Sequence, residues 1–142
     1  MNSLNFLDIN VWLALAWQRH SQAQPAREWF SRCEEERFFF CRFTQLGLLR
    51  LLTTRGVMGH DVRSMAGAWE IYDQWCADDR VGFLPEPGGL DRGLKDLTRS
   101  RHASPKAWAD AYLAAFASAA GLKLITFDKS LGTRSAGSLI LR

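Results

Sequence analysis

The stretch SPKAWADAYLAAFASAAGLKLITFD, Ser104–Asp128, decides the fold because a helix and a strand follow one another in it without a break. Ser104 is a favoured helix N-cap, Pro105 is tolerated in a first helical turn, and Gly121 is a typical residue after a helix end. The apolar run LKLITF that comes next predicts a buried strand. This order is typical of an α/β protein, in which helices pack on a sheet and connect its strands.

The rest of the chain repeats this alternation. Apolar runs predict further strands at LNFLD (4–8), RFFFCRF (37–43), RVGFLPEP (80–87) and SLILR (138–142). Apolar residues at steps of three and four predict further helices at NVWLALAWQR (10–19), AQPAREWFSRCEEE (23–36), TQLGLLRLLTTR (44–55, closed by Gly56), HDVRSMAGAWEIYDQWCAD (60–78) and GGLDRGLKDLTRSR (88–101). Strands separated by helices indicate βαβ crossovers, so we expect a mostly parallel sheet with helices on both faces.

Length and composition describe one globular domain. The 142 residues suffice for one core, and 47% hydrophobic with 23% charged residues is an ordinary balance. We therefore expect residues 1–142 to form a single domain. No apolar run approaches the roughly 20 residues of a membrane span, and the first residues have no leader pattern. We expect a cytoplasmic protein with no membrane partner.

Cysteine spacing and charge exclude few functions. The cysteines at 33, 41 and 76 form no C-x-x-C pair, which favours reduced, mostly buried thiols over disulfides or a zinc site. The net charge of +3 permits a nucleic-acid partner without requiring one. Positive charge is concentrated in KDLTRSRHASPK, Lys95–Lys106, for which a solvated helix end is the favoured interpretation.

Two aspartates follow predicted strands. Asp8 comes after LNFL and Asp128 after LITF. Asp caps helices and starts turns well, and for either residue alone this structural interpretation is favoured. However, the carboxyl ends of parallel strands share one edge of the sheet, where ligands of open α/β proteins bind. We therefore expect both carboxylates to face the same crevice.

Asp110 is a third carboxylate of interest. It shares a helix face with Ala107, Leu113, Ala114 and Ala117, and an unpaired charge on an apolar face costs several kcal/mol. Either an arginine from another helix or a divalent cation would serve as its partner. Because its helix leads into the strand before Asp128, we expect it near the same edge. Three carboxylates there repel one another unless a hard cation such as Mg²⁺ or Mn²⁺ holds them.

Three motifs together resemble a PIN-domain ribonuclease, and more narrowly the toxin of a VapBC-type toxin–antitoxin pair. They are FLDINVWLAL around Asp8, FCRFTQLGLLRLLT in the middle, and SPKAWADAYLAAFASAAGLKLITFD around Asp110 and Asp128. The resemblance covers nearly the whole chain in order. It implies a three-layer α/β/α sandwich with a mostly parallel central sheet.

The resemblance also implies a metal-dependent endonuclease that hydrolyses RNA phosphodiester bonds. Asp8, Asp110 and Asp128 would be the catalytic residues and would hold one or two Mg²⁺ or Mn²⁺ ions. Asn10 and Thr126 would orient a carboxylate or a water held by the ion. Whether the target is tRNA, ribosomal RNA or message is left open by these motifs.

One position departs from the family pattern. Many members carry Glu at the start of the helix after the second strand, where this chain has Gln45, with Gly47 as the other alignment. A glutamine carbonyl accepts hydrogen bonds but brings no charge, so weaker metal affinity follows. We expect a working enzyme with a variant site, in which Glu86 or Asp91 would be acids placed to compensate.

Other classes of protein were weighed against this interpretation. A haloacid-dehalogenase-like phosphatase needs D-x-D after its first strand, where this chain has Asp8, Ile9 and Asn10. A receiver domain needs a phospho-acceptor aspartate after its third strand, and FLPEP offers none. A catalytically weakened PIN domain that serves as an RNA- or protein-binding module stays open, because Gln45 is consistent with it.

Six tryptophans exceed what a core of this size needs. Apolar helix faces predict core positions for Trp12, Trp69 and Trp108, and partly exposed positions remain for Trp17, Trp29 and Trp75. Exposed aromatic residues mark interfaces. We therefore expect a homodimer, and a cognate VapB-type antitoxin with a segment lying in a groove on the N-terminal helices.

Overall fold

The computed structural model describes residues 3–142, in which five parallel strands form one sheet in the order β3-β2-β1-β4-β5. The strands are β1 (Leu4–Leu7), β2 (Arg37–Phe40), β3 (Val81–Phe83), β4 (Lys123–Thr126) and β5 (Leu139–Ile140). The helices are α1 (Ile9–Ala16), α2 (Ala23–Arg32), α3 (Arg42–Leu52), α4 (Arg55–Met58), α5 (Met65–Cys76), α6 (Leu90–Leu97), α7 (Ala107–Ala120) and α8 (Lys129–Arg134), with a 3₁₀ turn at Gly59–Asp61.

Helices cover both faces of the sheet, which confirms the predicted α/β/α sandwich. Successive side chains of a strand point to opposite faces. Phe38 and Phe40 accordingly belong to the core shared with α1, α2, α3 and α5, where Phe40 stacks on Trp12 with ring centroids 3.9 Å apart. Phe6 belongs to the core shared with α6, α7 and α8, where it stacks on Phe116 at 4.6 Å. The central strand β1 is thus buried on both sides.

Several elements end earlier than the sequence predicts, because local hydrogen bonds turn the chain. β2 ends at Phe40 and not at Phe43, since the Cys41 amide donates to Thr44 Oγ1 at 2.9 Å in a capping box that starts α3. Gly56 lies inside α4 and does not end α3. The strand β1 ends at Leu7 because the next residue caps α1.

The long helix α7 begins later than predicted. Ser104 is not its N-cap, because its carbonyl oxygen accepts from the Ala107 amide at 3.0 Å while Lys106 occupies the cap position. Pro105 therefore precedes the helix. Gly121 ends the helix as predicted, in the left-handed conformation with φ of 67°.

Half of the tryptophan predictions are wrong. Trp12 is buried and Trp17 and Trp75 are half-buried as predicted, but Trp29 is buried while Trp69 and Trp108 are 45% and 62% exposed. Trp29 packs edge-on against Phe38. The helix α5 buries Ala68 and Tyr72 instead of Trp69, and Trp108 precedes the segment of α7 that contacts the sheet.

The three cysteines are free thiols. Cys33 and Cys41 are buried and Cys76 is exposed, and none of them is in a disulfide. Over residues 3–142, no helix combines the length and apolar character that a bilayer crossing needs.

Candidate active site

Asp8 and Asp128 lie at the carboxyl edge of two neighbouring strands. Asp8 directly follows β1, and Asp128 is two residues beyond β4. These strands pair with Leu7 opposite Ile125, and the Asp8 amide donates to the Ile125 carbonyl at 2.9 Å. The sheet therefore brings the two carboxylates to the same edge.

Thr126 joins the two aspartates. Its hydroxyl donates to Asp8 Oδ2 at 2.8 Å and accepts from the Asp128 amide at 3.0 Å. The Thr126 side chain is fully buried at the end of β4. One buried hydroxyl group thus contacts both the Asp8 carboxylate and the Asp128 backbone.

Both aspartates are also helix caps, so the structural and the chemical interpretations apply together. Asp8 Oδ1 accepts from the Ile9 amide at 2.7 Å at the start of α1. Asp128 Oδ1 accepts from the amides of Ser130 and Leu131 at 2.8 and 3.3 Å at the start of α8. Over residues 3–142, Asp128 Oδ2 accepts no hydrogen bond. Capping occupies one oxygen of each carboxylate and leaves the other for a different partner.

Asp110 lies in the first turn of α7, half-buried and within electrostatic reach of the other two. Burial and then the negative charge of Asp128 raise the pKa of Asp110, whereas the positive charges of Arg134 and Lys106 lower it. Burial also raises the pKa of Asp8, as do the charges of Asp110 and Asp128, against the hydrogen bonds that favour its ionised form. The three carboxylates thus form one electrostatically coupled group.

This donor set suits Mg²⁺ or Mn²⁺ without forming a ready-made cage. Within residues 3–142, no three His, Cys, Asp or Glu side chains converge closely enough to chelate an ion. Mg²⁺ normally keeps several waters and binds proteins through one or two carboxylates, so it does not require such a cage. Carboxylates whose pKa is raised by a neighbouring negative charge are stabilised in their ionised form by a nearby cation, and Asp8 and Asp110 meet this condition.

The PIN domain family profile matches residues 6–134. The chain belongs to the PIN domain family. This PIN domain is 39% identical over 126 residues to ribonuclease VapC41 of Mycobacterium tuberculosis, covering 85% of this chain and 86% of that relative.

Two solved structures share the fold of this PIN domain. The crystal structure of VapC20 of M. tuberculosis, described as a sarcin-ricin loop cleaving toxin, superposes with a TM-score of 0.66 at 16% identity, covering 97% of this chain and 99% of that one. VapBC2 from Rickettsia felis, bound to a DNA fragment from its promoter, superposes with a TM-score of 0.64 at 10% identity, covering 96% of each chain. At these identities the likeness shows the fold alone.

Gln45, at the variant acid position of this PIN domain, is turned towards α5. It is buried in α3, where its Oε1 accepts from Arg42 Nη1 and its amide lies beside the Tyr72 hydroxyl. The hydrogen bonds of Asp8 come from Ile9 and Thr126 and not from Gln45. The structure therefore places the glutamine in α3, the helix after β2, without joining it to the aspartates.

The other predicted auxiliary residues are also not joined to the carboxylates. Asn10 is exposed in the first turn of α1 and is not among the partners of Asp8. Glu86 accepts from the Tyr112 hydroxyl at 2.9 Å, and Asp91 is exposed in the first turn of α6. A compensating role for either acid stays a prediction.

Sequence reasoning missed Arg134, whose charge acts on Asp110. It is the last residue of α8, six positions after Asp128 (134−128), and it is exposed. The available indication was that Asp128 starts a short helix, which has to end close to the same edge of the sheet. Arg134 has no carboxylate within ion-pair distance in the described part of the chain.

Proposed function

We propose that this PIN domain is a metal-dependent endoribonuclease that hydrolyses RNA phosphodiester bonds as the toxin of a VapBC-type pair. The observation that carries the proposal is the linkage of Asp8 and Asp128 through Thr126, with Asp110 coupled to both by charge. The 39% identity to ribonuclease VapC41 supports RNA as the substrate.

Asp8, Asp110 and Asp128 are the proposed catalytic residues and would hold Mg²⁺ or Mn²⁺. When bound, such an ion activates a water for attack and offsets negative charge on the phosphate as the bond breaks. Hard carboxylate oxygens are the ligands that these ions prefer. Oδ2 of Asp8 and Oδ2 of Asp128 are the oxygens not used for helix capping, and we assign them to this role.

The remaining residues orient these carboxylates and attract the substrate. Thr126 holds Asp8 Oδ2 in place, since its hydroxyl is itself fixed by the Asp128 amide. Asn10 is proposed to orient a water at the edge of the site. Arg134 and Lys106 lie close enough to Asp110 to lower its pKa, and the same positive charges would attract the RNA backbone to an otherwise acidic edge.

Cleavage of an RNA panel by the purified protein tests the proposal. We expect cleavage of at least one RNA with Mn²⁺, loss of cleavage in EDTA, and recovery when Mn²⁺ is restored. Asp110→Asn should abolish cleavage and leave the fold intact. A PIN domain that acts only as an RNA-binding module would shift RNA on a gel and leave it intact with Mn²⁺, which would contradict the enzymatic proposal.

A VapB-type antitoxin is the proposed protein partner, and a homodimer is the proposed assembly. The likeness to relatives named VapC supports the antitoxin. Helices α3 and α5 expose several apolar side chains, among them Leu46, Met65 and Trp69. Large exposed apolar patches are rare on soluble monomers and mark interfaces, which supports a protein partner here. Sedimentation at micromolar concentration, alone and with the product of the neighbouring gene, should show a dimer and a larger complex. A monomer in both samples would contradict this proposal.

A further inference from the structure

A cavity of about 610 Å³ lies between the end of α6, the start of α7 and the end of α8. Its walls are the segment from Leu97 to Pro105, the first turn of α7 and the last residue of α8. The polar part of the lining consists of Thr98, Ser100, His102, Ser104 and Arg134. Trp108, in the first turn of α7, supplies an aromatic wall.

Trp108 is the most exposed of the six tryptophans, at 62%. Within residues 3–142, its ring is not stacked on another aromatic ring or under an arginine, in contrast to Trp12, which stacks on Phe40. Stacking of a flat ligand on this indole face would remove apolar surface from water, which is favourable. The cavity therefore offers a stacking surface for a flat ligand.

Arg134 connects this cavity to the catalytic group. It lines the cavity, and its positive charge acts on Asp110. No carboxylate of the described chain pairs with it, so its guanidinium has its hydrogen-bond donors available. A guanidinium binds phosphate oxygens in a bidentate manner. An indole face and a guanidinium in one cavity are suited to a base and its phosphate.

We propose that this cavity binds one nucleotide of single-stranded RNA that flanks the bond to be cut, with its base stacked on Trp108 and its phosphate on Arg134. The inference rests on the proposed ribonuclease function and adds a substrate-positioning subsite to it. Every base has a flat face for stacking, so the subsite would tolerate different sequences. Its volume lies in the range of roughly 300–1,000 Å³ that small-ligand sites occupy.

Binding of labelled single-stranded oligouridylate and oligoadenylate, measured by fluorescence anisotropy in EDTA, tests the subsite without cleavage. Trp108→Ala should weaken binding by roughly 5- to 100-fold, the range found for loss of one base–aromatic stack, and Trp108→Phe should recover most of it. Val57→Ala is the control, because Val57 is also an exposed apolar side chain but lies on α4, whose Met58 packs in the core on the opposite face of the sheet. It should bind like the wild type.

The phosphate contact is tested in the same assay. Arg134→Ala should weaken binding and reduce its dependence on salt concentration, whereas Arg134→Lys should keep most of the salt dependence. RNA that contains 4-thiouridine, irradiated with the wild-type protein, should cross-link to the peptide that carries Trp108. Melting temperatures within about 2 °C of wild type would show that these exposed substitutions leave the fold intact.

The outcomes separate this proposal from the proposed function. Equal RNA binding by wild type, Trp108→Ala and Arg134→Ala overturns the subsite, and cleavage by all three with Mn²⁺ then leaves the ribonuclease standing. RNA binding that depends on Trp108 without any cleavage supports the subsite and contradicts the enzyme. A wild type that binds neither oligonucleotide overturns the subsite. Loss of a dimer in Trp108→Ala, with RNA binding unchanged, assigns the cavity to a second copy of the chain and also overturns it.

Discussion

The Thr126 hydroxyl donates to Asp8 Oδ2 at 2.8 Å, although the two residues are separated by 118 positions in the chain. A threonine hydroxyl has one proton and two lone pairs. Because the Asp128 amide already donates to Thr126 Oγ1, the single hydroxyl proton is directed to Asp8. This arrangement favours the ionised form of Asp8 against the burial that raises its pKa.

Removal of this hydroxyl should therefore impair the site more than the fold. Thr126→Val keeps a β-branched side chain in β4 but leaves Asp8 Oδ2 and the Asp128 amide without their partner. We expect cleavage to fall roughly 10- to 100-fold, as for lost outer-sphere partners of metal ligands. The free energy of unfolding should drop by about 1–3 kcal/mol. Cleavage rates with Mn²⁺ and urea unfolding measure the two effects.

Thr126→Ser is the matched control because it keeps the donor. It should retain most of the activity, and its acid limb in the pH–rate profile should stay where the wild type has it. The limb of Thr126→Val should move to higher pH, since the pKa of Asp8 rises when the hydrogen bond is lost. If the acid limb of Thr126→Val stays at the same pH as that of the wild type, the ionisation that controls the cleavage rate belongs to a group other than Asp8.

The stability of the metal-free protein should respond to pH through the same carboxylates. The pKa values of Asp8 and Asp110 are raised above their ordinary 3.8, so the folded state keeps protons that the unfolded state releases. Their contribution to stability is fully present below pH 3.8 and is lost as the pH rises through the folded-state pKa values. In Asp8→Asn, the melting temperature measured in EDTA should therefore fall less than that of the wild type as the pH rises from 3.8 through this range. If the melting temperature of Asp8→Asn changes with pH as steeply as that of the wild type, the electrostatic coupling of Asp8 to Asp110 and Asp128 is contradicted.

Gly47 tests how closely α1 and α3 pack behind Asp8. A Cβ added at Gly47 would overlap the Ile9 side chain, with Ile9 Cγ1 only 2.8 Å away. Gly47→Ala should destabilise the protein by about 1–3 kcal/mol, as overpacking does, and reduce cleavage by displacing the residue next to Asp8. Gly56→Ala is the control, since a Cβ there meets nothing within 4 Å. It should be neutral or stabilising by about 0.5–1 kcal/mol.

The variant acid position gives a prediction about metal affinity. Gln45→Glu restores the acid that many members of the family carry, beside Arg42, which can neutralise it when no ion is bound. We expect the Mn²⁺ concentration for half-maximal cleavage to fall several-fold, because the added charge strengthens cation binding. Gln45→Ala should leave that concentration unchanged or raise it. If Gln45→Glu needs the same Mn²⁺ concentration as the wild type, position 45 does not contribute to metal binding, and its role is confined to the contacts with Arg42 and Tyr72.

The sheet and its acidic edge were predictable because they follow from patterns that act over short distances. A buried strand needs a continuous apolar run, and the residue after it has to lie at the carboxyl edge of a parallel sheet. The positions of Asp8 and Asp128 follow from this rule alone. The placement of Asp110 required the further inference that its helix packs beside the same edge.

The tryptophans were harder to predict because helical periodicity identifies a face but not what covers it. Trp69 lies on an apolar stripe of α5, yet Ala68 and Tyr72 are the residues of that helix that reach the core. Trp108 lies in the first turn of α7, before Ala111, the first buried residue of that helix. The position of Arg134 near Asp110 also depends on the direction of α8 and of its last side chain, which no spacing in the sequence specifies.

Asp8 is proposed to be a catalytic metal ligand as well as a helix cap. Asp8→Asn separates these roles, because asparagine caps about as well as aspartate and its amide can donate to the second lone pair of Thr126 Oγ1. Asp110→Asn and Asp128→Asn should behave alike, and the three losses should not add, since each disables the same unit.

The most direct measurement is RNA cleavage with Mn²⁺ by wild type and Asp8→Asn, paired with the melting temperature of each protein without metal. We expect cleavage by Asp8→Asn to collapse while its metal-free melting temperature stays level or rises, because like-charge repulsion with Asp110 and Asp128 is relieved. Cleavage retained by Asp8→Asn would contradict the account, leaving Asp8 a helix cap and the proposed mechanism without its first ligand.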